Sequence, residues 1–191
     1  MNAALDLAAT LVERGALLEG HFKLSSGRHS ARFVQKFRIL ELPSLVERIA
    51  AALIERLQLH ETPTVVVSAA VGGIILGYEV ARQLGVPAIF VEKEGGVATL
   101  RRGFALGDSD RALVVEDVVT TGLSVREVLD VVRRAGAQVV AVGVIVRREP
   151  VDFGVPTVAL VDVPVESFAP AECPLCKAGV PLTEPGSRFL R

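Results

Sequence analysis

The sequence has no tryptophan, one tyrosine and only two cysteines among its 191 residues. Both cysteines lie in one short motif at 173–176, so a framework of several disulfide bonds is excluded, and we expect a reducing, cytoplasmic location. No apolar run approaches the ~18 residues of a membrane span. The first residues include Asp6 and Glu13 but no basic leader, so we expect neither a signal peptide nor a membrane partner.

An excess of charge of either sign is also missing. Lysine and arginine together number 21, and aspartate and glutamate 22, which leaves a formal charge of −1. A nucleic-acid-binding protein normally carries a basic face and a high isoelectric point, so we expect no nucleic-acid partner. Half of the residues are apolar, and the length suits a single domain over 1–191 with a well-buried core.

Strand-like and helix-like segments alternate through most of the chain. The first fifteen residues have helical apolar spacing, and short strands around a Ser-Gly turn are expected between 20 and 40. The later strands are near-continuous runs of Val, Ile and Ala, which is typical of strands buried on both faces. We therefore predict an α/β fold with a central, mostly parallel sheet flanked by helices. The predicted strands are 64–69, 88–92, 111–117, 138–146 and 157–162, and the predicted helices are 42–59, 72–85 and 122–136.

One connection between two predicted strands lacks a helix. Residues 92–110 instead have Gly95 and Gly96 between short alternating arms, a pattern that predicts a β-hairpin. Such a hairpin is either a projecting loop or an added edge of the sheet. Because it carries Lys93, Arg101 and Arg102, we interpret it as a mobile, cationic loop.

The segment VVEDVVTTGLS, residues 114–124, combines two acids with a turn rich in hydroxyls. In open α/β sheets, ligands bind beyond the carboxyl ends of the strands, and this segment runs from such an end into a helix. Free N–H groups at the helix start, with hydroxyls of Thr120, Thr121 and Ser124, suit a phosphate. Glu116 and Asp117 suit a vicinal diol, because a carboxylate accepts two hydrogen bonds. The pattern therefore predicts a ribose 5-phosphate site, and the sequence has no Walker-type or G-x-G-x-x-G motif.

This segment resembles the phosphoribosyl pyrophosphate (PRPP) motif of the type I phosphoribosyltransferases: an apolar strand, two acids and a Thr-Gly phosphate loop. The resemblance implies a Rossmann-like fold, with a small hood (1–40 and 163–191) on a core (41–162) and a projecting β-hairpin loop (92–110). It implies transfer of ribose 5-phosphate from PRPP to a base, with Mg²⁺ held through PRPP and water and with no direct protein ligand, and a homodimer that shares the loop. The implied PRPP-binding residues are Val71, Gly72, Lys93, Glu116, Asp117, Val118, Val119, Thr120, Thr121, Gly122, Leu123 and Ser124, and the implied catalytic residues among them are Lys93, Glu116 and Asp117.

Three features indicate the base. Thr120 stands where hypoxanthine-type enzymes carry an Asp that exchanges a proton with the purine, and a threonine hydroxyl cannot act as a general acid near neutral pH. Residues 22–36, FKLSSGRHSARFVQK, are similar to the substrate loop of orotate phosphoribosyltransferases. By position, Arg148 resembles the family's orotate-binding arginine, a bidentate partner for a carboxylate. The implied orotate-binding residues are Ser25, Phe33, Thr120 and Arg148.

The sequence departs from better-known members of the family at two loops. Their catalytic loop carries several lysines and a histidine, whereas here only Lys93 aligns with a pyrophosphate-binding lysine, and whether the hairpin arginines replace the others is left open. Their pyrophosphate loop often holds a lysine, but residues 69–73 read AAVGG, where glycines allow close backbone approach. The family also implies an unusual peptide bond at Ala70–Val71 or Val71–Gly72.

Cys173 and Cys176 have zinc-knuckle spacing but supply two ligands where a closed zinc site needs four. A second C-x-x-C from a partner chain, or distant histidines and acids, would be needed to complete it. Our default interpretation is therefore a pair of free buried thiols.

These observations predict a magnesium-dependent transferase that makes orotidine 5′-monophosphate and pyrophosphate from PRPP and orotate in pyrimidine biosynthesis. One alternative is a phosphoribosyltransferase for xanthine or uracil. Another is a regulator that senses PRPP or nucleotides without catalysis, although the balanced charge argues against the nucleic-acid face that such a regulator needs.

Overall fold

Helices and strands alternate along the chain in a computed structural model, which describes residues 5–24 and 26–184. The helices are α1 (Leu7–Glu13), α2 (Phe37–Leu40), α3 (Pro43–Leu57), α4 (Gly72–Leu84), α5 (Leu123–Arg134) and α6 (Pro174–Lys177). The strands are β1 (Leu17–Lys23), β2 (His29–Val34), β3 (Val65–Ala69), β4 (Ala88–Glu94), β5 (Val97–Leu100), β6 (Arg111–Val119), β7 (Gln138–Arg147), β8 (Thr157–Asp162) and β9 (Ser167–Phe168).

The central sheet has six strands in the order β5-β4-β3-β6-β7-β8. Every neighbouring pair is parallel except β4 and β5, which confirms the predicted mostly parallel sheet. From β3 the chain continues to β4 on one side, whereas from β6 it continues to β7 on the other. The strand order therefore reverses between β3 and β6, the position where open α/β sheets form a ligand crevice.

Both faces of this sheet are covered by helices, as the apolar runs predict. Along β6, Leu113 and Val115 pack in the cluster that contains residues of α3 and α4. The intervening Val114 packs in the second cluster, with residues of α5. Because alternate side chains of a strand point to opposite faces, a strand covered on both sides needs an apolar residue at every position.

A second, smaller sheet joins the two ends of the described chain. It has the order β1-β2-β9, with His29 and Ser30 of β2 paired to Phe168 and Ser167 of β9. An isolated bridge also pairs Phe22 with Thr183. We call this three-stranded sheet with the segment 163–184 the hood. The boundaries drawn for it from the sequence stay a prediction.

The predicted hairpin is present as β4 and β5, joined at Gly95 and Gly96 with φ of 57° and 87°. Strand β5 forms an added edge of the sheet, pairing Leu100 with Val91. The pairing of β3 with β4 ends at Val91, whereas β4 and β5 remain paired beyond it. The hairpin is thus both an edge strand and a projection, and its mobility stays a prediction.

Two short elements, α2 and β9, were not predicted from the sequence. Helix α2 has only four residues, and β9 has two, so neither shows a periodic pattern of its own. Helix α1 ends at Glu13, before Gly15, which has a φ of 61°. Within the described part of the chain, no helix has the length and apolar character needed to cross a membrane.

Candidate active site

The crevice lies where β3 ends and β6 continues. The last residue of β6 that pairs with β3 is Val115, whereas β6 remains paired with β7 as far as Val119. The sequence placed the end of this strand at residue 117, and that prediction was wrong by two residues. Glu116 and Asp117 are therefore inside the strand and only 6% and 2% exposed, beside the space that β3 no longer fills.

Two glycines allow helix α4 to begin against these carboxylates. A Cβ atom on Gly72 would lie 1.7 Å from Oδ2 of Asp117, and one on Gly73 would lie 3.2 Å from Oε1 of Glu116. The positive end of the α4 dipole is therefore brought next to two acids, which is a favourable arrangement. The expected unusual peptide bond is the one between Ala70 and Val71, which is cis.

Lys36 is the counter-ion of Asp117, and sequence reasoning missed it. Its Nζ lies 3.0 Å from Oδ1 and 2.7 Å from Oδ2 of Asp117, and the Val118 N–H also donates to Oδ1. Lys36 follows β2 and is distant from the acids in sequence, so no local pattern connects them. It lies 2.7 Å from the position of a Cβ on Gly72, and thus beside the loop at 69–73 that lacks a lysine.

The neighbouring acid, Glu116, is shifted toward its protonated, uncharged form, as its raised pKa indicates. Burial, and then the charge of Asp117, raise the pKa of Glu116 to about 8, against smaller lowering effects of the Asp117 N–H, Lys36 and Ser124. The Asp117 N–H donates to Oε1 of Glu116 at 3.1 Å. Two adjacent acids thus have different environments, one ion-paired and one desolvated, and both can hydrogen-bond a diol.

The hydroxyl-rich turn opens helix α5. Thr120, Thr121 and Leu123 are exposed, so the turn is accessible to a ligand. Gly122 has a φ of 78°, and a Cβ there would lie 2.8 Å from side-chain atoms of both Val151 and Phe153. The first N–H groups of a helix have no acceptor inside it, so this exposed helix start suits an anion.

Arg148 reaches the same edge of the sheet from β7. Its backbone N–H donates to the Val119 oxygen at 2.8 Å, next to Thr120. Its Nε is buried and has no hydrogen-bond partner within the described residues, and burial lowers the pKa of Arg148. The preceding Arg147 is instead held by Asp162, with nitrogen–oxygen distances of 2.6 and 3.1 Å. Arg147 is thus engaged by Asp162, whereas the Nε of Arg148 has no such partner within the described residues.

Two other predicted site residues, Phe33 and Lys93, have neighbours other than the acid pair. Phe33 is half-buried in the hood and packs on Phe22, with ring centroids 5.8 Å apart. Ser25 lies outside the described residues. Lys93 forms an ion pair with Glu127 of α5 at 2.8 Å, one helical turn beyond Leu123. Its proposed contact with pyrophosphate stays a prediction.

The two hairpin arginines form ion pairs within the hairpin. Arg101 lies 3.3 Å from Glu94, and Arg102 lies 3.0 Å from Glu92. Arg101 and Glu94 are both largely exposed, so this pair contributes little to stability. Glu92, in contrast, is only 18% exposed. Whether these arginines contact pyrophosphate stays a prediction.

The fold and this site define a class of protein. The family model described as "Phosphoribosyl transferase domain" matches residues 38–152, which include both acids and the whole phosphate turn. The structure is similar to the crystal structure of orotate phosphoribosyltransferase from Aeropyrum pernix, with a TM-score of 0.69 and 29% identity, covering 82% of this chain and 93% of that one.

Sequence identity to curated relatives identifies a smaller group within this family. The chain is 49% identical to orotate phosphoribosyltransferase of Pelotomaculum thermopropionicum, covering 96% of this chain and 97% of the relative. It is 52% identical to that of Heliobacterium modesticaldum, covering 91% and 92%. The chain therefore belongs to the orotate phosphoribosyltransferases, a branch of the phosphoribosyltransferase family.

Gly72→Ala tests the contact between helix α4 and Asp117. The new Cβ must displace Asp117 or the helix start, so we expect an unfolding free energy lower by about 1–3 kcal/mol. Displacement of the acid should also slow phosphoribosyl transfer about 100-fold. Urea unfolding and a transfer assay measure the two effects. Gly107→Ala is the matched control, since a Cβ there has nothing within 4 Å; equal behaviour of the two variants would contradict the assignment.

Glu116→Gln is expected to change how stability depends on pH. The pKa of Glu116 in the folded protein, about 8, lies above its usual value of 4.5, so the folded state binds the proton more tightly between these values. The free energy of unfolding of the wild type therefore decreases as pH rises from about 4.5 to about 8, on the order of a few kcal/mol in total. Glutamine does not ionise, so the variant lacks this decrease. Its free energy of unfolding should equal that of the wild type near pH 4.5 and exceed it above pH 8.

Urea unfolding at a series of pH values measures this difference. Glu55→Gln is the control, because Glu55 is an exposed glutamate on α3, and its profile should follow the wild type. If Glu116→Gln also ran parallel to the wild type, Glu116 would not be the group that titrates.

Proposed function

We propose that this protein transfers ribose 5-phosphate from PRPP to orotate, forming orotidine 5′-monophosphate and pyrophosphate in pyrimidine biosynthesis. One observation carries the choice of base. The buried Nε of Arg148 has no partner among the described residues, and the Arg148 backbone is bonded to Val119, next to the phosphate turn. A cationic donor left unpaired at this position suits an anionic substrate such as the orotate carboxylate.

PRPP would be held by the crevice at both ends of its ribose. Residues 120–124 would bind the 5′-phosphate through the first N–H groups of α5 and the hydroxyls of the turn. Glu116 and Asp117 would accept hydrogen bonds from the ribose diol. The pyrophosphate would lie toward Val71 and Gly72, where Lys36 stands beside the loop.

The acids would also act on the reaction itself. As the bond to pyrophosphate lengthens, positive charge would develop on the anomeric carbon, and the ionised Asp117 would stabilise it, with Glu116 beside it as a hydrogen-bonding acid. The developing negative charge on pyrophosphate would be met by Lys36, Lys93 and backbone N–H groups. Orotate N1 would attack from the opposite face, and a substrate that enters deprotonated requires no strong protein base.

The donor set fits magnesium held through the substrate. Glu116 and Asp117 offer the hard oxygen ligands that Mg²⁺ prefers, but within the described part of the chain they do not belong to a group of three or more protein ligands. We therefore propose that Mg²⁺ binds through PRPP oxygens and water, near these acids. When bound, it neutralises charge on pyrophosphate and so favours its departure.

Orotate would lie between the hood and the turn. Arg148 would bind its carboxylate, Phe33 would contact its flat ring, and Thr120 and Ser25 would offer polar contacts. The projecting hairpin, which carries Lys93, would close over pyrophosphate and exclude water.

We further propose a homodimer in which the hairpin reaches the partner's crevice. The exposed Val97 on the hairpin supports this arrangement, since it is an apolar side chain on a projecting arm. The two free cysteines suit a reducing compartment, and we therefore place the enzyme in the cytoplasm.

Arg148→Ala tests the choice of base. Losing a charge-assisted contact of about 3 kcal/mol should reduce kcat/KM for orotate about 100-fold. The measurement follows orotate absorbance with PRPP and Mg²⁺, in parallel with uracil, xanthine and hypoxanthine. Arg147→Ala is the matched control and should retain orotate turnover, since Arg147 is paired with Asp162.

Other outcomes of the same assay would replace the proposal. Turnover of xanthine or uracil but not orotate by the wild-type protein would assign a different base. No pyrophosphate release with any base would favour a regulator that binds PRPP without catalysis.

A further inference from the structure

Four side chains from opposite ends of the chain meet in the hood. They are His21 of β1, His29 of β2, Cys173 and Cys176, and their ligand atoms all lie within 4.8 Å of one another. His21 and Cys173 are 152 positions apart in the sequence. Among the described residues, this is the one group of three or more His, Cys, Asp or Glu that could hold a metal. It includes no residue of the crevice.

Four of the six distances between these atoms are close to those of a tetrahedral site, and all six are within 4.8 Å. With metal–nitrogen bonds of about 2.0–2.1 Å and metal–sulfur bonds of about 2.3 Å, tetrahedral ligand pairs lie about 3.3–3.8 Å apart. Nε2 of His21 lies 3.1 Å from Nδ1 of His29, and 3.5 and 3.6 Å from Sγ of Cys173 and Cys176. Nδ1 of His29 lies 3.2 Å from Sγ of Cys176. These pairs have nearly the separations that a shared cation would impose.

Hydrogen bonding alone does not account for this cluster. Nδ1 of His21 is 2.8 Å from the Val180 oxygen and donates its proton there, so Nε2 has one lone pair and no proton. Three groups nevertheless converge on that one lone pair: Nδ1 of His29 and both thiols. One lone pair satisfies only one of these donors well. A cation at the centre would instead accept a lone pair from each of the four atoms.

We propose that these four residues bind a structural zinc ion. Two thiolates and two imidazoles in tetrahedral array are a donor set typical of zinc, whereas magnesium and calcium require oxygen ligands. All four positions are filled by protein, so no place is left for a reacting water, which indicates a structural ion. The hydrogen bond from His21 to Val180 orients the ring, as is usual for zinc-bound histidines.

The structure also changes the interpretation of the cysteines. Cys173 is buried, but Cys176 is exposed, so the pair are not both buried thiols. The missing two ligands are histidines of the same chain, and no partner chain is needed. Their spacing, with seven residues between them on two paired strands, is not that of a known zinc-finger motif.

The ion would connect the C-terminal segment to the β1–β2 hairpin. The turn of this hairpin includes Arg28, which donates to Oγ of Ser167 on β9 at 2.9 Å. His21 adjoins Phe22, which packs on Phe33. This role in holding the substrate side of the hood rests on the proposed function, whereas zinc binding itself does not.

Metal analysis of the purified protein tests the proposal directly. The full chain is produced without a polyhistidine tag, in medium containing zinc, and is analysed by mass spectrometry of its metals after gel filtration. We expect one zinc per chain in the wild type and nearly none in Cys176→Ser and His29→Ala. His60→Ala is the matched control, because His60 is the third histidine and is exposed, and it should keep its zinc. A wild type without zinc, or a Cys176→Ser variant that retains it, would overturn the site.

Cobalt provides a test that does not depend on how well the variants fold. Wild-type protein exchanged with Co²⁺ should show the intense visible bands of a tetrahedral ion and a thiolate-to-cobalt charge-transfer band. The weak spectrum of octahedral Co²⁺ would overturn the site. Removing zinc with a chelator should lower the melting temperature, and adding zinc should restore it.

The two proposals fail separately. Bound zinc with no orotate turnover would overturn the proposed function and leave the zinc site standing. Orotate turnover in a protein that never binds zinc would support the proposed function and overturn the zinc site.

Discussion

The burial of two adjacent carboxylates is the constraint on which this site depends. Glu116 and Asp117 lie inside a strand at the centre of the sheet, where an isolated charge is costly. The surroundings offset that cost in three ways: Lys36 pairs with Asp117, the start of helix α4 faces both acids, and backbone N–H groups donate to each of them. These contacts fix the position of both acids beside the crevice, although burial still raises the pKa of Glu116.

That constraint explains the composition of the loops around it. Helix α4 can begin at the acids only because Gly72 and Gly73 have no side chains. Lys36, which follows β2, supplies positive charge beside a loop that has no lysine of its own. The same positive surroundings that stabilise the Asp117 carboxylate suit a sugar that carries phosphate and pyrophosphate. Lys36 and the start of helix α4 thus stabilise the buried acids and also provide positive charge for the ligand.

Much of this could be predicted from local patterns. Every strand and helix long enough to show periodicity was found, and the segment 114–124 indicated an acid pair next to a phosphate turn. The errors concern interactions that are not local. β6 extends past Asp117 because β7 continues to pair with it. Lys36 was missed because its partner lies 81 positions away in the sequence.

The sequence by itself determined the sheet, the motif and the family, because each is encoded in neighbouring residues whose spacing follows strand or helix geometry. Only the tertiary structure decided which distant side chains meet. It brought Lys36 to Asp117, left the buried Nε of Arg148 without a hydrogen-bond partner among the described residues, and placed two histidines of the N-terminal hairpin against a C-terminal cysteine pair. Such contacts join residues that are far apart in the sequence. They depend on the packing of the whole chain, which the local pattern around each residue does not specify.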